Sequence, residues 1–311
     1  MQTAGIIGGS GFIGSYVTKI FLENNFKVKV SSTDIANHSK YDHLKGLTNA
    51  GNMEICPIDL LQPGSIKEFA EGCSIIVHGG TPFILDVQDP QTQLFEPTVN
   101  GTENFLEVIK NSAGIEKVIF IASVAAWNTS FPLNPSTYSS DHIFSENDSP
   151  YISDADHPYA QAKFFADQAV RKFIEENNNL PFEIVSVSPV FVTGNSLSSR
   201  QDSTSVGMQY LFKHKIAPNP FVEMLYAADV AFAMVDVRNV AESVFNAATK
   251  KGLHGKNYLI ANETYRVSDI TRMLNQQAPV AAPAYIYNNA LAMQDLGISF
   301  ISAKETLNNC N

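Results

Sequence analysis

Tyr159 and Lys163, in the stretch His157-Pro-Tyr-Ala-Gln-Ala-Lys163, are spaced i and i+4. On a helix that spacing puts a phenol and an ammonium on one face. A neighbouring ammonium lowers a phenol pKa from its ordinary value of about 10 and makes it a usable proton donor or acceptor near neutrality. Alone the pair is a weak signal, because both residue types are common on helices. Two features earlier in the chain strengthen it: a Gly8-Gly-Ser-Gly11-Phe-Ile-Gly14 loop, and Ser123 at the end of an apolar run. A glycine loop, a serine at a strand end and the Tyr-Lys pair, in that order, point to proton transfer beside a phosphate-bearing ligand.

These residues need a scaffold that brings strand ends together, and the hydrophobic pattern supplies one. Apolar runs at Ala4–Ile7, Met53–Ile58, Ser74–Val77, Lys117–Ala122 and Phe182–Val187, and the alternating Lys27–Val30, read as strands. Between them lie helical patterns. Phe12, Ile13, Val17, Ile20 and Phe21 mark a helix stopping at Asn24-Asn25, and Ser65-Ile-Lys-Glu68 is a capping-box pattern opening another. Thr102, Phe105, Leu106 and Ile109 face one way on a third, and Tyr159 sits on a fourth. Such alternation predicts an α/β fold, a Rossmann-type doubly wound parallel sheet, over residues 1–189. From about Pro189 segments shorten and Pro, Ser and Asn increase, so 190–311 reads as mainly a small interleaved substrate lobe. Its residues 236–262, with a helix at Val237–Ala248 and a strand at Asn257–Ile260, are expected to return to the sheet.

The glycine loop follows a strand and opens a helix, which makes a weak pattern useful. Gly8 permits the turn and Gly11 lets backbone approach a pyrophosphate. Gly14 and the first helical residues, Phe12 and Ile13, place free amides and a positive dipole end against it. There is no Gly-Lys-Ser/Thr of a P-loop, and Ser10 does not lie in G-x-S-x-G. A dinucleotide is therefore expected here, with further contacts at other strand ends: Asp59-Leu60, then His78-Gly79-Gly80-Thr81-Pro82. A lone His such as His78 is more often structural than functional. The end of the second strand reads Ser31-Ser32-Thr33-Asp34, with Lys40 beyond. Ser32, Thr33 and Lys40 suit the 2′-phosphate of NADP, whereas Asp34 complicates that, so the strand end is indecisive on chemistry alone. The absence of an acid at Ser32 or Thr33 favours NADP over NAD.

Composition is compatible with this reading. The chain has 311 residues, 44% hydrophobic and 17% charged, with a formal net charge of -10. That acidity argues against nucleic acid or an anionic membrane as the main partner. An anionic cofactor must then be held by local groups. Cys56, Cys73 and Cys310 lack any C-x-x-C and read as reduced thiols. No His, Cys, Asp and Glu cluster has metal-ligand spacing, so no metal is expected. Met1 leads straight into an apolar strand, and no apolar run approaches about 18–20 residues, so a cytoplasmic location is expected.

Taken together, the glycine loop, Val99-Asn-Gly-Thr102, Ser123, Tyr159-x-x-x-Lys163 and Pro189-Val-Phe-Val-Thr-Gly194 resemble the extended short-chain dehydrogenase/reductase superfamily. His78-Gly-Gly-Thr-Pro82 and Glu96-Pro-Thr-Val-Asn-Gly101 resemble its dihydroflavonol-4-reductase-like branch, which belongs with NAD-dependent epimerases and dehydratases. The likeness covers most of residues 4–250, including Val235-Asp-Val-Arg-Asn-Val240. It implies that Ser123 holds a substrate carbonyl, Tyr159 transfers the proton and Lys163 binds the nicotinamide ribose. Val192 would line the nicotinamide and Asn100 would lie near the cofactor. Three positions depart from the pattern: Thr33 stands where the NADP-preferring branch has Arg, Ala122 where a second hydroxyl is common, and Asn195 where Pro is usual.

The implied activity is reduction of a ketone or aldehyde by NADPH or NADH, on a small, apolar or aromatic substrate. Segments Thr81–Gln93, Thr129–Tyr151 and Asn195–Leu225 would face it, with Phe83, Phe131, Tyr138, Phe144 and Tyr210 as an aromatic lining. Two rivals stand beside this. A sugar-nucleotide epimerase of the same superfamily would keep its NAD through the cycle; a dehydratase is disfavoured because Val124-Ala125-Ala126 follows Ser123 where an Asp-Glu pair is typical. A non-catalytic NADP-binding redox sensor usually loses the Tyr or the Lys, and both are present. A homodimer is compatible with all three.

Overall fold

The structure is a computed structural model and describes residues 1–79, 88–135, 137–139, 141–200 and 203–310. Gly80, Thr81, Pro82 and Phe83, expected near the ligand, lie outside the described residues. Ten strands are found among them: β1 (Thr3–Ile7), β2 (Lys27–Ser32), β3 (Met53–Pro57), β4 (Ile75–His78), β5 (Lys117–Ile121), β6 (Glu183–Pro189), β7 (Phe191–Thr193), β8 (Ala231–Asp236), β9 (Asn257–Ile260) and β10 (Thr264–Arg266). The helices are α1 (Phe12–Glu23), α2 (Pro63–Ala70), α3 (Gly101–Lys110), α4 (Pro158–Glu176), α5 (Thr204–His214), α6 (Pro220–Ala227), α7 (Val237–Thr249), α8 (Val267–Leu274) and α9 (Ala303–Asn308).

Seven strands form one sheet in the order β3-β2-β1-β4-β5-β6-β9, with every pair parallel. Parallel strands covered on both faces need not alternate, and β5 (Lys-Val-Ile-Phe-Ile) is buried along its whole length. One face packs on α1 and α7 around Phe21, Val240 and Val244. The other packs around Phe69, Phe105 and Phe173, which belong to α2, α3 and α4. β9 lies beside β6 with Val187 opposite Tyr258, so Asn257–Ile260 forms the last strand of this sheet. The order reverses between β1 and β4, which opens a crevice at their carboxyl ends.

A second sheet, β10-β8-β7, carries its own core of Phe212, Leu225, Phe232 and Ile270 from α5, α6, β8 and α8. It joins the first where Pro189 ends β6 and Phe191 begins β7.

One local expectation needs correction. α2 starts at Pro63, with proline in the first helical turn and Gln62 at the cap, two residues before the Ser65 box. Proline's fixed φ and missing N–H suit that position, while the Ser65 hydroxyl accepts from Asp59 N–H at 2.9 Å. The 129–151 excursion is irregular, as its composition suggests, yet it is tied down. Its Phe144 bridges Tyr287, stacks on that ring at 5.1 Å and is buried.

Candidate active site

The glycine loop closes the crevice from the β1 side. Gly8 has φ +80°, the left-handed region that glycine tolerates without cost. A Cβ on Gly14 would lie 2.0 Å from the Gly8 carbonyl oxygen, so only glycine lets α1 start this close to the turn. No side chain caps α1 at Gly11, and the first amides of a helix have no intrahelical partner. The Gly11 N–H is already used, donating to the Gly8 carbonyl at 3.0 Å, so the amides of Phe12, Ile13 and Gly14 form the cradle that fits a pyrophosphate, with Gly11 as its turn. Ser31 stabilises the turn from the neighbouring strand: its hydroxyl accepts from Gly8 N–H at 2.8 Å. That contact joins positions far apart in sequence, and only strand pairing reveals it.

Further along the crevice, Gly79 follows β4 in tight contact with the Ile121 side chain; an added Cβ would sit 3.0 Å from it. Asp59 is exposed beyond β3, with its carboxylate accepting from Leu61 N–H, and Leu60 packs on Gly101. Val192 is buried on β7, opposite Val235. At the end of β2 the reading divides. Ser32 is buried and its hydroxyl is engaged with the Asp34 backbone, so it is a turn-forming residue and not a donor facing outward. Thr33 is exposed, and Lys40 Nζ donates to its hydroxyl at 3.2 Å.

Asn100 is also corrected. A wide, π-type helix, Gln91–Asn100, leads into α3, and it is Thr98 and Thr102 that point inward; the Thr102 hydroxyl donates to the Thr98 carbonyl at 2.6 Å. Asn100, two residues from each, is exposed beside Phe95, Phe165 and Lys172 on the outer surface between that helix and α4. Helical geometry places it on the wrong side for the crevice.

The reactive group is assembled by β5 and α4. Ser123 leaves β5 in extended backbone and begins a short turn, its hydroxyl accepting from Ala125 N–H at 3.1 Å. His157 caps α4 through its ring nitrogen, and Pro158 fixes the first turn, so Tyr159 is set one residue into the helix. The Ser123 hydroxyl and the Tyr159 phenol hydrogen-bond each other. One turn on, Lys163 is 8% exposed and its Nζ donates to the Ile121 carbonyl at 3.4 Å.

Protonation of the pair departs from the sequence expectation. Burial pushes the Tyr159 phenol well above its ordinary range, with only the Ser123 hydrogen bond opposing. Lys163 is itself desolvated, and its ammonium pKa is pushed down to about 8, against the opposing charge of Asp167. In the protein without ligand the phenol is therefore the neutral, proton-bearing form.

Asp167, one more turn along α4, is a site residue the sequence reading missed, although Tyr159, Lys163 and Asp167 continue one i, i+4 series. It is buried and held by Arg171 Nε at 2.5 Å and Asn257 Nδ2 at 3.1 Å, while the Arg171 guanidinium lies 4.5 Å from the Trp127 ring centre. Between Lys163 and Asp167 is a cavity of about 20 Å³, also lined by His78, Thr102 and Ser186. That is room for one water. His78 packs on Phe105 and Phe120, and burial with the nearby Lys163 charge pushes its pKa down to about 3. It is a neutral structural ring, as expected of a lone strand-end His.

The aromatic lining is largely redirected. Phe131 and Tyr138 pack against the core, Phe144 is part of it, and Tyr210 stands exposed on α5. Cavity size does not locate the site either. A cavity of about 700 Å³, lined by Gln2, Lys117 and Glu183 among others, opens at the amino ends of the strands, opposite the crevice. Among the described residues no cluster suits a metal ion, and no helix is long and apolar enough to cross a membrane.

The sequence profile of the NAD dependent epimerase/dehydratase family matches residues 4–261. This chain belongs to that family. Within it, the relatives support the dihydroflavonol-4-reductase-like branch of extended short-chain dehydrogenases/reductases. A cinnamoyl-CoA reductase of Medicago truncatula is 26% identical over 278 residues, spanning 88% of this chain and 80% of the relative. An NADPH-dependent methylglyoxal reductase of Saccharomyces cerevisiae is 25% identical, spanning 88% and 82%. The crystal structure of the yeast methylglyoxal/isovaleraldehyde reductase complexed with NADPH shares the fold at a TM-score of 0.81 and 22% identity, covering 99% of this chain and 96% of that one.

Proposed function

We propose that this family member is a reductase that transfers hydride from NADPH, or less readily NADH, to a ketone or aldehyde of a small, apolar or aromatic substrate. The observation that carries the reading is the hydrogen-bonded Ser123–Tyr159 pair with buried Lys163 one turn away, at the carboxyl edge of the sheet. The relatives named above as reductases of carbonyl compounds support it. Residues 1–189 with 236–262 would serve the cofactor, and the rest of 190–311 the substrate.

Reduced nicotinamide, when bound, supplies the hydride; the chain supplies everything else. As hydride reaches the carbonyl carbon, negative charge grows on its oxygen. Ser123 and Tyr159 hydroxyls, already turned toward each other, donate to that oxygen where charge develops. Tyr159 then gives up its proton, and its elevated pKa keeps that proton in place until the oxygen becomes basic. Lys163 offers a buried cation below the phenol and donors for a ribose. Thr33 and Lys40 would meet a 2′-phosphate, and Asp59, Leu60 and Gly79 would flank the adenine half.

The epimerase alternative rests on the same family and is separated by cofactor use. A reductase consumes reduced cofactor in each turnover and must exchange it, whereas an epimerase gains by retaining NAD. The protein is expected to purify largely free of nucleotide and to oxidise added NADPH only when an apolar or aromatic ketone or aldehyde is present. Stoichiometric NAD released on denaturation, without carbonyl-dependent loss of NADPH absorbance, would move the assignment to epimerase.

A further inference from the structure

Residues 195–200, between β7 and α5, run along the edge of the crevice and are tied to it at both ends. The Tyr16 hydroxyl of α1 donates to the Asn195 carbonyl at 2.8 Å. Arg200 Nη1 donates to the Lys40 carbonyl at 2.7 Å, across 160 positions of sequence. Between these anchors Ser196 and Ser198 hydroxyls accept from the backbone of Ser198 and Arg200, giving the segment a defined course. Asn195 Nδ2 also donates to the Asn309 carbonyl, fixing the first anchor to the C-terminal helix region. The segment thus reaches from the start of α1, where the glycine cradle lies, to the loop after β2, where Lys40 meets Thr33.

We propose that Arg200, carried by the substrate lobe, is a second cationic side chain of the 2′-phosphate site, acting beside Lys40 and Thr33 and strapping residues 195–200 over the bound dinucleotide. This rests on the NADPH reading above. The chain carries a net charge of -10, so a dianionic phosphate gains nothing from the overall field and must be met by local cations. Thr33 occupies the end of β2 without a guanidinium of its own. Arg200 brings a guanidinium to that loop from the other lobe. With five donors in a planar fork, a guanidinium can hold a carbonyl and a phosphate oxygen together, which a single ammonium does less well. Asp34, the nearby acid, has its carboxylate accepting from Ala36 N–H at 3.1 Å and so serves its own turn. The phosphate would then be read from both lobes, linking choice of cofactor to the order of a segment that borders the substrate.

Calorimetric titration with adenosine 2′,5′-bisphosphate and with 5′-AMP tests this without any catalytic turnover. The wild-type protein is expected to favour the bisphosphate. Arg200→Gln should cut bisphosphate affinity about tenfold, as loss of one charge-assisted contact does, while 5′-AMP affinity stays within about twofold. Arg200→Lys should recover part of the loss, and Lys40→Gln should weaken the bisphosphate similarly. Retained 5′-AMP binding shows that each variant is folded. An unchanged bisphosphate-to-AMP ratio in Arg200→Gln overturns the role of Arg200 and leaves the reductase reading standing. Failure of the wild-type protein to bind either nucleotide overturns the nucleotide reading and this inference with it.

Discussion

Replacing Lys163 with Met should make the ligand-free protein more stable while abolishing its activity. Lys163 is 8% exposed, and its pKa falls from 10.5 to about 8 because burial penalises the ammonium more than Asp167 favours it. That fall corresponds to about 3 kcal/mol of destabilisation at neutral pH. Methionine is similar in length, and the substitution forfeits only a long hydrogen bond to the Ile121 carbonyl, about 1 kcal/mol. The net gain is about 2 kcal/mol, a rise in Tm of several degrees. The sign with pH is fixed by linkage. Between pH 8 and 10.5 the unfolded chain keeps the Lys163 proton that the folded chain has lost, so wild-type stability rises with pH in that window. The advantage of Lys163→Met should therefore be full below pH 8 and close as pH approaches 10.5. Denaturant unfolding of both proteins at several pH values measures it. A variant that is less stable than wild type at pH 7, or an advantage that does not shrink with pH, would refute the claim that Lys163 is held in place at a desolvation cost.

Three other substitutions follow from the same geometry. Tyr159→Phe should preserve fold and cofactor affinity and lower turnover by about 10²–10⁴-fold, checked by steady-state kinetics beside calorimetry; near-normal turnover would show that another group gives the proton. Gly14→Ala places a Cβ 2.0 Å from the Gly8 carbonyl oxygen, so nucleotide binding should fall below detection in fluorescence titration, with a lower Tm. Ser31→Ala leaves the Gly8 N–H without its partner and should cost about 1–3 kcal/mol, read as a shift in the denaturation midpoint, together with weaker nucleotide binding.

The sheet and its crevice were legible because periodicity and glycine spacing are local signals. Ser123, Tyr159 and Lys163 could be singled out as candidates for the same reason: each sits at a fixed offset within a strand end or helix turn. Contacts made by strand pairing or lobe docking left no such trace, as Ser31 under Gly8 and Arg200 against Lys40 illustrate. Asn100 was misplaced because a sequence motif does not state which way its middle residue points; the turn that buries Thr98 and Thr102 sends Asn100 outward. The phenol's protonation was misjudged for a different reason. An i, i+4 ammonium was counted as a perturbing charge, but both groups are buried; what opposes burial is the Ser123 hydroxyl at Tyr159 and the Asp167 carboxylate at Lys163, and desolvation outweighs each. The aromatic residues of the long excursion read as a substrate lining because composition does not separate a lined pocket from a docked loop; Phe144 stacked on Tyr287 is the latter.

The central claim is net hydride transfer from NADPH to a carbonyl carbon, and isotope transfer tests it most directly. The protein would be incubated with NADPH deuterated at C4 of the nicotinamide and with a ketone that the NADPH-oxidation panel selects, and the product examined by mass spectrometry and NMR. The account predicts one deuterium at the carbinol carbon of the released alcohol, matched one for one by NADP formed, with Tyr159→Phe suppressing both. Oxidation of NADPH without deuterium in an alcohol product, or equal transfer by Tyr159→Phe, would contradict it.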